Sequence, residues 1–266
     1  MKTHKKNKMI TNILLFILLF LRIFPTVMDL IYGRFILNKT AIPSWVDPLG
    51  RIAASFYLIY AVCALVPLTI IIILNRDNLQ SLNVDKVFIF FFLFSGSAIF
   101  YAYFFPFGWL TGITTIFVFV YFVKGHLKFE DPSPLVLKIS IWAGGAFIIG
   151  GMFIFNSLTA LKVQNVLELL FVRTIPGAVY EEMIYRGILW RFLKESGLSE
   201  TKVFLFSSIL FWISHVSYLL VDPFAFWFTV PITSIVLGLM VWRSKSITPG
   251  IVTHILINIL LGLIEL

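Results

Sequence analysis

Long apolar runs joined by short polar or proline-bearing segments set the pattern of this chain. The runs fall at roughly 9–31, 51–74, 87–105, 108–123, 135–156, 164–192, 203–220, 224–241 and 247–264. Most reach the roughly 20 residues an α-helix needs to cross a bilayer. Pro106 turns the third run into the fourth. The DPSP segment at 131–134 opens the fifth, and Asp222-Pro223 separates the seventh from the eighth. The first run is weakened by Arg22, Pro25 and Asp29; counted as a half-span, it leaves eight. The pattern predicts an all-α, polytopic transmembrane helical bundle of about 8–9 spans. Gly108 with Gly112, and Ala146 with Gly150, have the small-xxx-small spacing of helix packing. No hinge-like linker or internal repeat interrupts the bundle. Buried polar candidates fall almost entirely after residue 165. The chain is therefore divided into N-terminal membrane spans over 1–134 and a polar-bearing helical core over 135–266.

Composition reinforces this picture. Hydrophobic residues make up 59% of the chain and charged residues only 13%, with a mean hydropathy of +0.97. Those values exclude an ordinary soluble domain. The net charge of +8 would suggest nucleic acid in a soluble protein; here the basic residues sit in short loops, and no nucleic-acid partner is expected. With the N-terminus in the cytoplasm, Lys2, Lys5, Lys6, Lys8, Arg76, Lys86, Lys124, Lys128, Lys138, Arg191, Lys194, Lys202, Arg243 and Lys245 lie inside. Only Arg34, Lys39, Arg51 and Lys162 lie outside. Fourteen against four follows the positive-inside rule and predicts a multi-pass cell-membrane protein with a cytoplasmic N-terminus. The basic start and apolar run resemble a signal peptide, but no small-residue cleavage site follows, so an uncleaved first span is expected. The single Cys63 lies in an apolar run and forms no intrachain disulfide.

Against this background three charges stand out. Glu181, Glu182 and Arg186 fall within six residues of the sixth run. Each charge near the centre of a membrane helix costs about 2.5–3.5 kcal/mol on insertion scales. On a helix Glu182 and Arg186 are one turn apart, acid before base, the favourable order. Glu181 lies about 100° round the axis. Arg186 is thus expected to neutralise Glu182 and leave Glu181 pointing elsewhere. Pro176 and Gly177, a turn earlier, loosen the backbone for a close approach. The bland reading is a charged last turn at the membrane surface. Two further intramembrane polar sites follow, Phe211-x-x-x-His215 in the seventh run and His254-x-x-x-Asn258 in the ninth. Each histidine alone also reads as a neutral ring hydrogen-bonded to a carbonyl. Counted inward from the cytoplasmic ends, Glu181, His215, His254 and Asn258 lie at about 15, 18, 10 and 16 Å. Groups on three helices therefore share one layer.

A carboxylate, two imidazoles and an amide suit hydrolysis. Glutamate can take a proton from water, while histidine and asparagine donate to the oxyanion of a tetrahedral intermediate. Alternatively Glu181, His215 and His254 could hold a divalent metal such as zinc, whose bound water is the nucleophile. No other cofactor is implied. The His-Glu-x-x-His motif is absent, as are a Gly-x-Ser-x-Gly elbow and a pair of intramembrane aspartates.

At these residues the chain resembles the CPBP family, also called Abi or CAAX-protease-like, which includes type II CAAX prenyl endopeptidases and bacteriocin-processing and self-immunity proteins. The pattern is carried by Glu181-Glu182-x-x-x-Arg186, Phe211-x-x-x-His215 and His254-x-x-x-Asn258, in order, with SITPGIVTH leading into the last motif. It covers about residues 140–262. The resemblance implies an intramembrane endopeptidase with a helical fold and a site open to the cytoplasm. Glu181 would activate water, with Glu182 and Arg186 in support. His215, His254 and Asn258 would position water and stabilise the oxyanion. Metal-dependent and glutamate-dependent mechanisms both fit the residue set, and a glutamate-activated water without a tightly held metal is preferred. The implied partners are the bilayer and a membrane peptide or protein substrate. Two other classes fit the pattern: a catalytically silent scaffold or bacteriocin-immunity or sensor-partner protein of the same fold, and a transporter with a proton relay.

Overall fold

The structure, a computed structural model, describes residues 2–37, 63–103, 117, 120–121, 125, 127–139, 141–143 and 174–264. All regular elements among these residues are helical. They include α1 (Lys2–Leu37), α2 (Cys63–Leu74), a short 3₁₀ turn (Leu79–Leu82), α3 (Lys86–Tyr103), α4 (Ile175–Glu182), a π-helical segment (Met183–Leu189) and α5 (Trp190–Glu195). Then come α6 (Glu200–Ile213), α7 (Tyr218–Val221), a π-helical turn (Ala225–Thr229), α8 (Val230–Ser244) and α9 (Thr248–Ile264). The expected helical class is observed. Among the described residues, two helical stretches, Lys5–Met28 and Ala225–Ser244, are long and apolar enough to cross a membrane. Runs 87–105 and 247–264 coincide with α3 and α9. Most of runs 108–123 and 135–156, the first part of 51–74 and the small-residue pairs at 108/112 and 146/150 lie outside the described residues.

The chain divides into two compact units, one of Met1–Leu74 with Ile188–Gly238, the other of Asn75–Gly187 with Leu239–Leu266. In the first, α1 buries Leu15 and Leu18 completely and turns Met9, Ile13, Phe16 and Phe20 outward. A contiguous outward apolar face of this kind suits lipid rather than water. Pro25 lies inside α1 and cannot donate to the preceding turn. The Thr26 hydroxyl adds a bond to the Arg22 carbonyl at 3.2 Å there. α6 and α8 meet through Ser208 and Ser234, each hydroxyl bonded to the other's carbonyl at 3.4 and 3.0 Å. Gly238 lets them close up: a Cβ there would lie 2.8 Å from the Phe204 ring.

Run 203–220 is not one continuous helix. α6 ends at Ile213, and residues 214–217 form turns before α7. The cause is competition for a carbonyl. Ser214 Oγ and His215 Nδ1 both bond the Phe211 carbonyl, at 2.7 and 2.8 Å. The His215 backbone N–H goes to Trp212 instead. Polar side chains have taken the acceptor that would have carried the α-helix onward.

The second unit packs α3 and α9 against α4. Ile251, Ile255 and Ile259 of α9, with Ile247 just before it, form a buried row at four-residue spacing. Phe92 meets Tyr180 edge-on at 6.2 Å. Asp85 caps α3, accepting from the Phe88 N–H at 2.8 Å.

Two outcomes follow. Gly238→Ala forces the Phe204 ring aside and is expected to destabilise by about 1–3 kcal/mol, read as a lowered thermal midpoint in detergent. Glu195, paired with Arg191 at 2.9 Å and Lys8 at 3.2 Å, supplies the second. Partial burial alone would raise its carboxyl, but the Arg191 hydrogen bond and charge, with Lys8, hold it below its ordinary 4.5. A depressed folded value gives stability that is fully present above 4.5 and lost as pH falls through the folded value. Glu195→Gln should therefore be less stable than the native chain at neutral pH. In thermal scans on acidification the gap should close, and it should shrink in high salt.

Candidate active site

The stretch carrying the acidic pair is locally irregular for readable reasons. Pro176 sits in the first turn of α4, where its missing N–H is no loss. After Glu182 the backbone widens into the π-helical segment, a form that concentrates at functional sites. Gly187 lies within this segment. A Cβ there would stand 3.0 Å from the Leu82 carbonyl and 3.2 Å from Met183 Sδ. Glycine thus lets the 79–82 turn press against the segment's backbone. The next residue, Asn83, adopts φ 55°, a left-handed conformation asparagine tolerates better than most residues.

The side chains of this unit form a buried cluster. Arg186 Nη1 lies 3.2 Å from Glu182 Oε1, and both side chains are fully enclosed. The one-turn pairing expected from the spacing is therefore present. His254, from α9, reaches the same oxygen through Nδ1 at 3.0 Å. A carboxylate oxygen only accepts, so His254 Nδ1 carries the proton. Its Nε2 then faces Glu181 Oε2 at 3.9 Å. Glu181 is the more accessible acid, its side chain 11% exposed against 0% for Glu182. Taking an ion pair out of water costs several kcal/mol per ion, and here the mutual attraction and the His254 bond offset it.

The other oxygen of Glu182 faces Gly250. A Cβ at 250 would stand 3.0 Å from Oε2 and 3.6 Å from the carboxyl carbon. α9 can approach α4 this closely only because the position is glycine. Gly250 belongs to the SITPGIVTH approach, so the sequence signal was there, but its reason was not.

Four of the six expected site residues, Glu181, Glu182, Arg186 and His254, are thus gathered in one cluster. Asn258 lies one turn beyond His254 on α9 and is half-buried. His215 belongs to the other unit. There its Nδ1 donates to the Phe211 carbonyl and its Nε2 receives Arg22 Nη2 at 3.2 Å. This is a neutral ring with both nitrogens engaged. The Phe211 ring packs 4.7 Å from it. Arg22, which the apolar pattern registered only as a flaw in the first run, is the partner of a motif histidine.

A metal was tested against these donors. Among the described residues no three His, Cys, Asp or Glu side chains are grouped so as to hold one. In the cluster itself, Glu182 Oε1 is already shared by Arg186 and His254. That leaves the Glu181 carboxylate, His254 Nε2 and Glu182 Oε2, the last enclosed against Gly250. This set does not fit a bound zinc ion.

The fold and cluster together define a helical protein with membrane-type apolar faces and a buried acid–imidazole–guanidinium site. Residues 163–260 match the family model described as Rce1-like, type II CAAX prenyl endopeptidase Rce1-like. The resemblance carried by the three motifs is borne out over that segment, whose family is one of membrane-embedded proteases. No curated protein and no solved structure matches the chain.

Removing one member of the buried pair should be costly. Arg186→Leu leaves Glu182 enclosed without its main counter-charge and is expected to lose about 3–5 kcal/mol. The double variant Glu182→Leu/Arg186→Leu is expected to recover much of that. Thermal unfolding of the three proteins in detergent decides the matter.

Proposed function

We propose that the protein is an intramembrane endopeptidase that hydrolyses a peptide bond in a membrane-associated peptide or protein. We place its site in the 135–266 core, open to the cytoplasm. The observation that carries this reading is the inequality of the two adjacent glutamates. Glu182 is enclosed and fixed by Arg186 and His254, while Glu181 keeps access and faces His254 Nε2 at 3.9 Å.

Two acceptors at that separation suit a water donating one hydrogen to each. Such a water has its lone pair directed away from both and is ready to attack. Glu181 takes the water proton as the oxygen bonds to the substrate carbonyl carbon. The carbonyl oxygen becomes an oxyanion, which the Asn258 amide stabilises as a donor. Glu181 then passes the proton to the amide nitrogen as the C–N bond breaks. His254 positions the water, and Glu182 with Arg186 holds His254 in the right tautomer. His215 is carried over from the motif without a step of its own, since Phe211 and Arg22 hold both of its ring nitrogens. This mechanism needs no metal, and the substrate is any peptide that can enter from the membrane or its cytoplasmic face.

The test is turnover of membrane-associated peptides by purified protein in liposomes. Glu181→Gln and Glu181→Ala are expected to lower kcat by about 10²–10⁴-fold with an unchanged thermal midpoint, and His254→Asn to lower it as well. Full turnover in folded Glu181→Ala protein rejects the mechanism. If none of these variants alters a cellular phenotype that the whole protein confers, the silent-scaffold reading replaces it.

A further inference from the structure

The segment between the 3₁₀ turn and α3 lies 80 residues before the matched family segment, yet it grips both halves of the cluster. Asn83 donates from Nδ2 to the Arg186 carbonyl at 2.7 Å, within the π-helical segment. The carbonyl of Asn83 accepts from the Ile247 N–H at 2.9 Å, just before α9. Two residues on, Asp85 is buried and accepts from Ser246 Oγ at 2.5 Å and Thr248 Oγ1 at 2.6 Å. Ser246 Oγ in turn accepts from the Thr248 N–H at 3.2 Å. Asp85 therefore orients the hydroxyl that caps the start of α9.

We propose that Asn83 and Asp85 are positioning residues for the Glu182–His254 pair. One three-residue segment ties the backbone of Arg186 to the entry of the helix that carries His254. Arg186 is one turn from Glu182. Thr248 is less than two turns from His254. The spacing between these two helices sets the 3.0 Å bond from His254 to Glu182 and the 3.9 Å gap from His254 to Glu181. That spacing has little slack, because Gly250 already brings α9 against the Glu182 carboxylate. A misplacement of about 1 Å can cost about 100-fold in rate, so a tether remote from the chemistry still governs it.

The catalytic half of this inference rests on the proposed peptidase reading; the geometric half does not. Asn83→Gly keeps the left-handed backbone and the bond from Ile247 but removes the bond to Arg186. Asn83→Asp turns an acceptor toward an acceptor at the same size. Asp85→Ala removes the grip on Ser246 and Thr248, whereas Asp85→Asn keeps an oxygen and the shape, and serves as the conservative rescue.

The experiment uses full-length protein in detergent, labelled with [¹⁵N]histidine and assigned with His254→Asn. The native protein is expected to show one His254 tautomer with a protonated, hydrogen-bonded Nδ1. Asn83→Gly, Asn83→Asp and Asp85→Ala are expected to give a mixture of tautomers, while Asp85→Asn keeps the native signal. In peptide turnover the first three are expected to lose about 10- to 100-fold in kcat with KM within about twofold. A native His254 signal in any folded Asn83→Gly, Asn83→Asp or Asp85→Ala protein overturns the proposal. If the native protein cleaves nothing, the peptidase reading falls and the His254 signal still decides the positioning role.

Discussion

Glu182 and Arg186 face each other inside an apolar helical unit with no exposed surface on either side chain. Their mutual attraction is not a good reason for them to be there. Burying both ions costs several kcal/mol each, and well-packed apolar residues of the same volume would often be as stable. What the pair provides is direction. An anchored carboxylate accepts from His254 Nδ1, and that single bond decides which imidazole nitrogen carries the proton and where the other points. Without the arginine the carboxylate would lack its counter-charge. Without the carboxylate the imidazole would lose its orientation. The geometry at Glu181 depends on both.

Irregular backbone in this protein coincides with its polar residues, and for one physical reason. In an apolar setting a carbonyl that leaves the helical ladder must find another donor. At Phe211 the donors are Ser214 and His215, and α6 stops. In the π-helical segment Arg186 receives its donor from Asn83. At Phe211 a motif histidine meets this need, and at Arg186 a residue outside the motifs, Asn83, does so. Gly187 and Gly250 supply the complementary device, letting a carbonyl in one case and a carboxylate in the other come within 3.0 Å of where a side chain would begin.

Much of this was legible in the residues. Apolar runs of spanning length gave helices, and the four-residue spacing of Glu182 and Arg186 gave their ion pair. The shared depth of Glu181 and His254 anticipated that α4 and α9 would bring them close. Other features had no local signature. The end of α6 falls inside a stretch read as one span, just before Ser214-His215, and the competition for the Phe211 carbonyl explains it. The spacing assigned Glu182 to Arg186 alone, but a carboxylate has several acceptor sites and His254 takes one of them. Asn83 and Asp85 bond residues 103 and 161 positions away, and no periodicity reports such a contact. Arg22 read as a defect because a sequence shows the cost of a charge but not its partner.

Adjacent acids in one helix could be taken as interchangeable, and their surroundings show why these are not. Glu181 and Glu182 lie about 100° apart round the axis, so Glu182 pairs with the arginine on its own helix while Glu181 lies across from the imidazole of α9. Dissimilar environments are what let two neighbouring carboxylates serve different purposes. An acid that must move a proton needs reach to water and a partner that is not a fixed cation. An acid that must hold a ring still needs enclosure and a counter-charge. Glu182 meets the second description, while Glu181 is the more accessible of the two and lies 3.9 Å from the His254 ring. The order of the two cannot be exchanged without also moving Arg186, since the arginine pairs with whichever acid stands one turn before it.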